Sequence, residues 1–215
     1  MNPQAAKATI EASRVIAILR GDFAGLFQPI ARTLAEAGIR ALEVTMNSPG
    51  AVDGIRAMKD AVGTTCLVGA GTVLSVEQAE AAIAAGAAFI VAPNTNPQVI
   101  AHCLARGVCV IPGAYTPTEI VHALALGAHL IKLFPAELAY FKAIRGPLDR
   151  VPFVVTGGVG LENAAAFIRA GAVAVGLGSQ LVNDEVKAAG GLDVLAQRAR
   201  QLMASLNSEA ADGRP

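Results

Sequence analysis

The chain has 215 residues, 53% of them hydrophobic, and its 17 Lys plus Arg balance its 17 Asp plus Glu. That balance leaves no basic surface for a nucleic acid or a membrane face. No apolar run reaches the ~18 residues a bilayer crossing takes, and Met1 to Glu11 lacks the basic-then-apolar pattern of a signal peptide.

The first predicted element is a helix within Met1 to Ser13. Val15-Ile16-Ala17-Ile18-Leu19 then reads as a buried strand, ended by Arg20-Gly21. Apolar residues at helical spacing run from Phe23 to Ala37, stopped by Gly38. Arg40 to Thr45 is a second strand. Ser48 and Pro49 predict a helix start, with Ser48 as N-cap, and that helix runs to about Val62. Cys66 to Thr72 is a third strand, followed by a helix from Ser75 to about Ala85. Ala88 to Pro93 is a fourth, with a helix from about Pro97 to Arg106. Val108 to Gly113 is a fifth, with a helix from about Pro117 to Leu126.

His129-Leu130-Ile131-Lys132-Leu133-Phe134-Pro135 holds the sixth strand, with a helix near Leu138 to Arg145. Pro152 to Gly158 is the seventh, with a helix from about Glu162 to Ala170. Val173 to Ser179 is the eighth, and a last helix near Leu192 to Leu206 closes the chain, with a tail expected to fray from Asn207. Eight strand–helix pairs, one every ~20–25 residues, are what a (β/α)8 TIM barrel requires. The strands are continuous apolar runs, as expected when both faces are covered. The rival is an open doubly wound sheet. No stretch reads as an edge strand, so the barrel is preferred, as a single domain over residues 1–215.

A lysine inside the apolar sixth strand is out of place. Burying an ammonium is costly, so its pKa should fall, and the neutral amine can form a Schiff base with a ketone. The alternative is that Lys132 snorkels out of the strand end or simply pairs with a carboxylate. Barrel sites lie at the C-terminal strand ends, where the polar residues are Arg20, Glu43, Thr45, Thr72, Lys132, Thr156 and Ser179. Alternation along each strand puts Lys132 in phase with Leu130, and Glu43 in phase with Ala41. If both point inward, a carboxylate faces an amine near the mouth.

Thr156-Gly157-Gly158 and Gly176-Leu177-Gly178-Ser179 end the seventh and eighth strands. Barrels often bind phosphate there on backbone N–H groups. Arg20 could serve a carboxylate or a phosphate. His102, His122 and His129 show no metal-ligand spacing, and no metal or cofactor is expected. Cys66, Cys103 and Cys109 show no metal or redox spacing, and Cys66 and Cys109, in predicted strands, read as small core residues, which fits a reducing cytoplasm.

With these residues in view, Val15 to Arg20, Glu43-Val44-Thr45, Gly69-Ala70-Gly71-Thr72-Val73, Ile131 to Glu137 and the two glycine turns resemble the 2-keto-3-deoxy-6-phosphogluconate (KDPG) aldolase family, over about Arg14 to Val182. The resemblance implies a metal-free class I aldolase, usually a homotrimer. It would convert a phosphorylated 2-keto-3-deoxy sugar acid to pyruvate and glyceraldehyde 3-phosphate. It assigns Lys132 as the Schiff-base lysine, Glu43 as the acid/base, and Thr72 as the holder of the pyruvyl carboxylate. Pro93 and Phe134 match pocket walls, Thr156 a substrate contact, and Gly157, Gly158, Gly178 and Ser179 the phosphate site.

The chain departs from the family in two places. Some members carry arginine where this chain has Asn47, and Arg20 could supply that charge from another direction. The loop after Glu137 is short. Asn47-Ser48-Pro49 and Ala92-Pro93-Asn94 resemble the enzymes for the C4 epimer, 2-keto-3-deoxy-6-phosphogalactonate (KDPGal), whereas Thr156 resembles the gluconate enzymes. Two other classes are open: another phosphate-binding barrel enzyme, such as an epimerase or thiamine-phosphate synthase, or a catalytically silent phosphosugar-binding barrel.

Overall fold

The structure is a computed structural model that describes residues 2–212. Its strands are β1 (Val15–Leu19), β2 (Ala41–Thr45), β3 (Leu67–Gly71), β4 (Phe89–Val91), β5 (Cys109–Ile111), β6 (Gly113–Ala114), β7 (Ile131–Leu133), β8 (Phe153–Thr156) and β9 (Ala174–Leu177). They form one sheet in the order β5-β4-β3-β2-β1-β9-β8-β7-β6, and each pairing is parallel. β5 and β6 are the two halves of the expected fifth strand, split at Pro112, which has no N–H to give a ladder. The first half pairs with β4 and the second with β7, so the bent strand completes the (β/α)8 barrel.

The helices are α1 (Pro3–Ser13), α2 (Phe27–Glu36), α3 (Ala51–Val62), α4 (Val76–Ala84), α5 (Pro97–Ala105), α6 (Pro117–Ala125), α7 (Leu138–Arg145), α8 (Ala164–Arg169) and α9 (Gly191–Asp212). Where a polar residue was free to cap, the sequence placed the start well. Ser75 accepts from Gln78 N–H, and Thr116 with Glu119 forms a capping box. Three starts are later than expected. α2 begins at Phe27 because Phe23 to Leu26 close a turn that buries Phe23. α3 begins after Gly50, which stands at φ +65°. The Ser48 hydroxyl does not cap it, being bonded to Gly21 N–H and Thr45 Oγ1 instead. α8 begins after Asn163, whose side chain bridges Gly160 N–H and the Gly158 carbonyl. At the other end of the chain α9 runs past Asn207, where fraying was expected; residues 213–215 lie outside the described residues.

Two hydrophobic clusters correspond to the two faces of the strands. Ile16, Ile18, Ala41, Leu67, Phe89, Val91, Cys109, Ile111, Leu130, Val154 and Ala174 fill the barrel interior. α1 plugs it with Ala6 and Ile10. The alternate positions, among them Ala17, Leu42, Val68, Ile131, Leu133, Phe153 and Val175, pack outward against the helices. Lys132 is in phase with interior Leu130, and Glu43 with interior Ala41, so the period-two pattern turns both inward.

Candidate active site

Lys132 and Glu43 are buried on the inner face of the barrel, at 4% and 2% exposure. Burial pushes the Lys132 amine below the usual lysine range. The Glu43 carboxylate pulls its pKa back up and the Arg20 guanidinium pushes it further down. Burial likewise holds the Glu43 carboxyl above the usual carboxylate range, against the lowering effect of Lys132 and Arg20. Desolvation is the largest cause for both groups, so each is driven toward its neutral form. Among the described residues the two make no contact ion pair, and Glu43 Oε1 has no hydrogen-bond partner. Lys132 Nζ stands 4.9 Å from the centroid of the Phe134 ring. A buried amine and a buried carboxyl that shift each other's pKa without a contact ion pair are candidates for proton transfer.

Glu43 fits because residues around it are small. A methyl on Gly71 would overlap Glu43 Oε1, and one on Gly69 would lie 2.5 Å from the Phe89 ring. Gly69 and Gly71 are thus needed in β3 for side chains crossing the interior, a role the sequence reading did not give them.

Lys132 opens into a cavity of about 400 Å³ at the C-terminal end of the barrel. Arg20, Phe134, Thr156, Gly157, Gly158, Gly178 and Ser179 line it too, which brings together eight of the eleven sequence-predicted positions. Glu43, Thr72 and Pro93 are not on its wall. Glu43 reaches Lys132 through electrostatics, each shifting the other's pKa. Thr72, at φ +55°, accepts a hydrogen bond from Arg20 Nη2 at 3.1 Å, so it borders the mouth through that residue. Pro93 follows β4 and turns its carbonyl onto Gly113, which a Cβ there would strike.

The glycine turns have different constraints. Gly157 and Gly158 stand at φ +73° and +87°. A Cβ on Gly158 would come 2.5 Å from the Ala136 carbonyl oxygen. Gly178 has an ordinary φ and open space around its Cβ position. It begins a helical turn in which Leu181 and Val182 N–H donate to the Gly178 carbonyl, and the first N–H groups of such a turn have no partner within it. Thr156 is 4% exposed, and its Oγ1 has no partner among the described residues. Val159, Gly160, Glu162 and Gln180 also line the cavity. Sequence reasoning missed them because nothing in their residue types marks which side of a turn faces the mouth.

Away from the cavity, burial pushes the thiols of Cys103 and Cys109 up to about 12, which suits inert core residues. Cys66 sits one residue before β3. Among the described residues no three His, Cys, Asp or Glu side chains gather as a metal cluster, and no helix is long and apolar enough to cross a membrane.

A family model for KDPG and KHG aldolase matches residues 6–197. The chain belongs to the KDPG and KHG aldolase family. It is therefore a class I aldolase, an aldehyde-lyase. Among curated relatives, a 2-dehydro-3-deoxy-phosphogluconate aldolase of Treponema pallidum (strain Nichols) is 43% identical over 185 residues, 84% of this chain and 88% of that protein. A 2-dehydro-3-deoxy-6-phosphogalactonate aldolase of Escherichia coli (strain K12) is 41% identical over 172 residues, 78% of this chain and 83% of the relative. Among solved structures, the KDPG aldolase of Legionella pneumophila, with pyruvate captured as a covalent carbinolamine, superposes with a TM-score of 0.82 at 27% identity. That match covers 92% of this chain and 97% of the other.

Proposed function

We propose that this family member cleaves KDPG to pyruvate and glyceraldehyde 3-phosphate, with Lys132 as nucleophile and Glu43 as acid/base. The observation that carries this reading is the Lys132 amine, desolvated on the inner face and open to a cavity edged by two glycine turns. Lys132 Nζ adds to the C2 ketone, and the carbinolamine loses water to give an iminium ion. Glu43, directly or through a water, takes the C4 hydroxyl proton. The C3–C4 pair flows into the iminium, releasing the aldehyde and leaving an enamine. The protonated Glu43 then delivers that proton to C3, and water hydrolyses the imine to free pyruvate. A carboxyl held above its usual pKa range suits both halves of this cycle.

Arg20 and Thr72 hold the keto-acid carboxylate in this reading. Phe134 walls the imine, and Pro93 bounds the β4 side of the mouth. Gly157, Gly158, Gly178 and Ser179 grip the phosphate through backbone N–H groups, so that binding energy at the far end orients the reacting end. Thr156 favours the gluconate epimer, since its buried, unpartnered Oγ1 can bond a substrate hydroxyl. The turn Asn47-Ser48-Pro49 and the 41% identity to the E. coli relative favour KDPGal as the second reading. A homotrimer in the cytoplasm, built from one barrel domain per chain and working without metal or organic cofactor, completes the proposal. Light scattering at about three chain masses checks the assembly.

The deciding experiment is reduction with borohydride in the presence of pyruvate and EDTA, followed by peptide mass spectrometry. One reduced pyruvyl group should map to Lys132. Lys132→Arg should give none, since a guanidinium does not deprotonate to attack a carbonyl. An adduct on Lys142 instead, or no adduct on the parent chain, refutes the mechanism.

A further inference from the structure

We propose that Asn47 is a positioning residue that holds the Arg20 guanidinium across the mouth of the cavity, in place to receive the keto-acid carboxylate. The inference rests on the function proposed above, and it assigns a task to a residue that would otherwise be a plain turn asparagine.

Arg20 leaves the end of β1 as an exposed side chain lining the cavity. A free arginine there would sample many rotamers, each costing side-chain entropy to recover on binding. Two bonds restrict it. Nη1 donates to Asn47 Oδ1 at 3.3 Å, and Nη2 donates to Thr72 Oγ1 at 3.1 Å. The acceptors come from the turns after β2 and β3, so the fork is stretched over the two strands that neighbour β1 on one side. One residue on, the Ser48 hydroxyl accepts from Gly21 N–H at 3.0 Å and meets Thr45 Oγ1 at 2.8 Å. The turn after β2 therefore grips the β1 loop twice: Asn47 on the Arg20 side chain, Ser48 on the backbone beside it.

From this position the guanidinium acts on both buried groups, lowering the pKa of Glu43 and of Lys132. An arginine swung into solvent would lose that influence to screening. The carboxamide has a chemical advantage in this place. It offers a neutral acceptor, so it orients the cation without neutralising it, whereas a carboxylate would compete with the substrate's own.

The test is a double-mutant cycle with Asn47→Ala, Arg20→Ala and the pair, read by borohydride labelling of Lys132 against pyruvate concentration and pH. Asn47 is exposed and its carboxamide bonds to the exposed Arg20 side chain, so its alanine variant should fold as the parent does. It should raise the half-saturating pyruvate concentration about five- to tenfold, leave labelling at saturation within about twofold, and move the acid limb of labelling to higher pH. That limb moves because removing a nearby cation lets the Lys132 pKa rise, with Glu43 the one other charged group acting on it. Arg20→Ala should do the same more strongly, and the double variant should match Arg20→Ala alone. The inference is overturned if the two single effects multiply in the pair, or if Asn47→Ala changes saturating labelling but neither half-saturation nor pH limb. A parent chain that pyruvate never labels overturns the proposed function, and this inference with it.

Discussion

The phosphate grip can be tested at one position without touching the barrel, and Gly178 is that position. Replacing Gly158 would confound two effects. Its φ of +87° strains any side chain, and a Cβ would press on the Ala136 carbonyl 2.5 Å away, two residues beyond Phe134. Gly178 has neither problem, since its φ is ordinary and nothing lies within 4 Å of its Cβ position. Gly178→Ala should therefore leave thermal stability unchanged or raise it slightly, because alanine narrows the unfolded ensemble by ~0.4–1 kcal/mol. The same methyl stands on the cavity wall where the anion would approach the backbone. Pushing a phosphate off one charge-assisted N–H bond costs ~1.5–3 kcal/mol, which is roughly a ten- to hundredfold loss in kcat/KM. The assay compares KDPG with its unphosphorylated analogue by coupling pyruvate release to lactate dehydrogenase. The phosphorylated substrate should lose the full factor and the analogue less than about threefold. Equal losses on both substrates, with an unchanged melting temperature, would refute the assignment of this turn to the phosphate.

Two other predictions concern the buried groups. Glu43→Gln should nearly abolish turnover, yet pyruvate labelling at Lys132 should persist with its acid limb moved to lower pH, because the carboxylate is what raises the Lys132 pKa. The folded-state pKa of Glu43 is itself raised, so its contribution to stability is present below the unfolded value and lost as pH rises through the folded one. The same variant should accordingly melt higher than the parent at neutral pH and show no such gain below about pH 4, as calorimetry across pH would read. Thr156→Val removes an unpartnered buried hydroxyl at nearly constant shape. It should lower kcat/KM for KDPG about tenfold and for KDPGal less, and an unchanged ratio between the epimers would show that Thr156 does not read C4.

The sequence by itself determined a good deal of this. Repeating apolar runs with glycine stops dictate alternating strands and helices, and a period of two already places Lys132 opposite Ile131 and Leu133 and in phase with Leu130. Residue type marked an amine on that face as out of place, and the closed barrel decided that it turns into the interior, where burial lowers its pKa, rather than snorkelling out of the strand end. The glycine turns were legible because they end neighbouring strands. What local rules could not decide was which of several satisfied partners a polar side chain would take. Ser48 has the chemistry of an N-cap and spends it instead on Gly21 and Thr45, 27 and 3 residues away. Pro112 breaks the fifth strand so that its halves serve different neighbours. Gly71 must be bare because Glu43 crosses over it from the next strand. The Arg20 fork acquires its direction from Asn47 and Thr72, 27 and 52 residues away. Contacts of that separation carry no local signature: barrel closure brings the turns together, and hydrogen bonding and excluded volume then select among them.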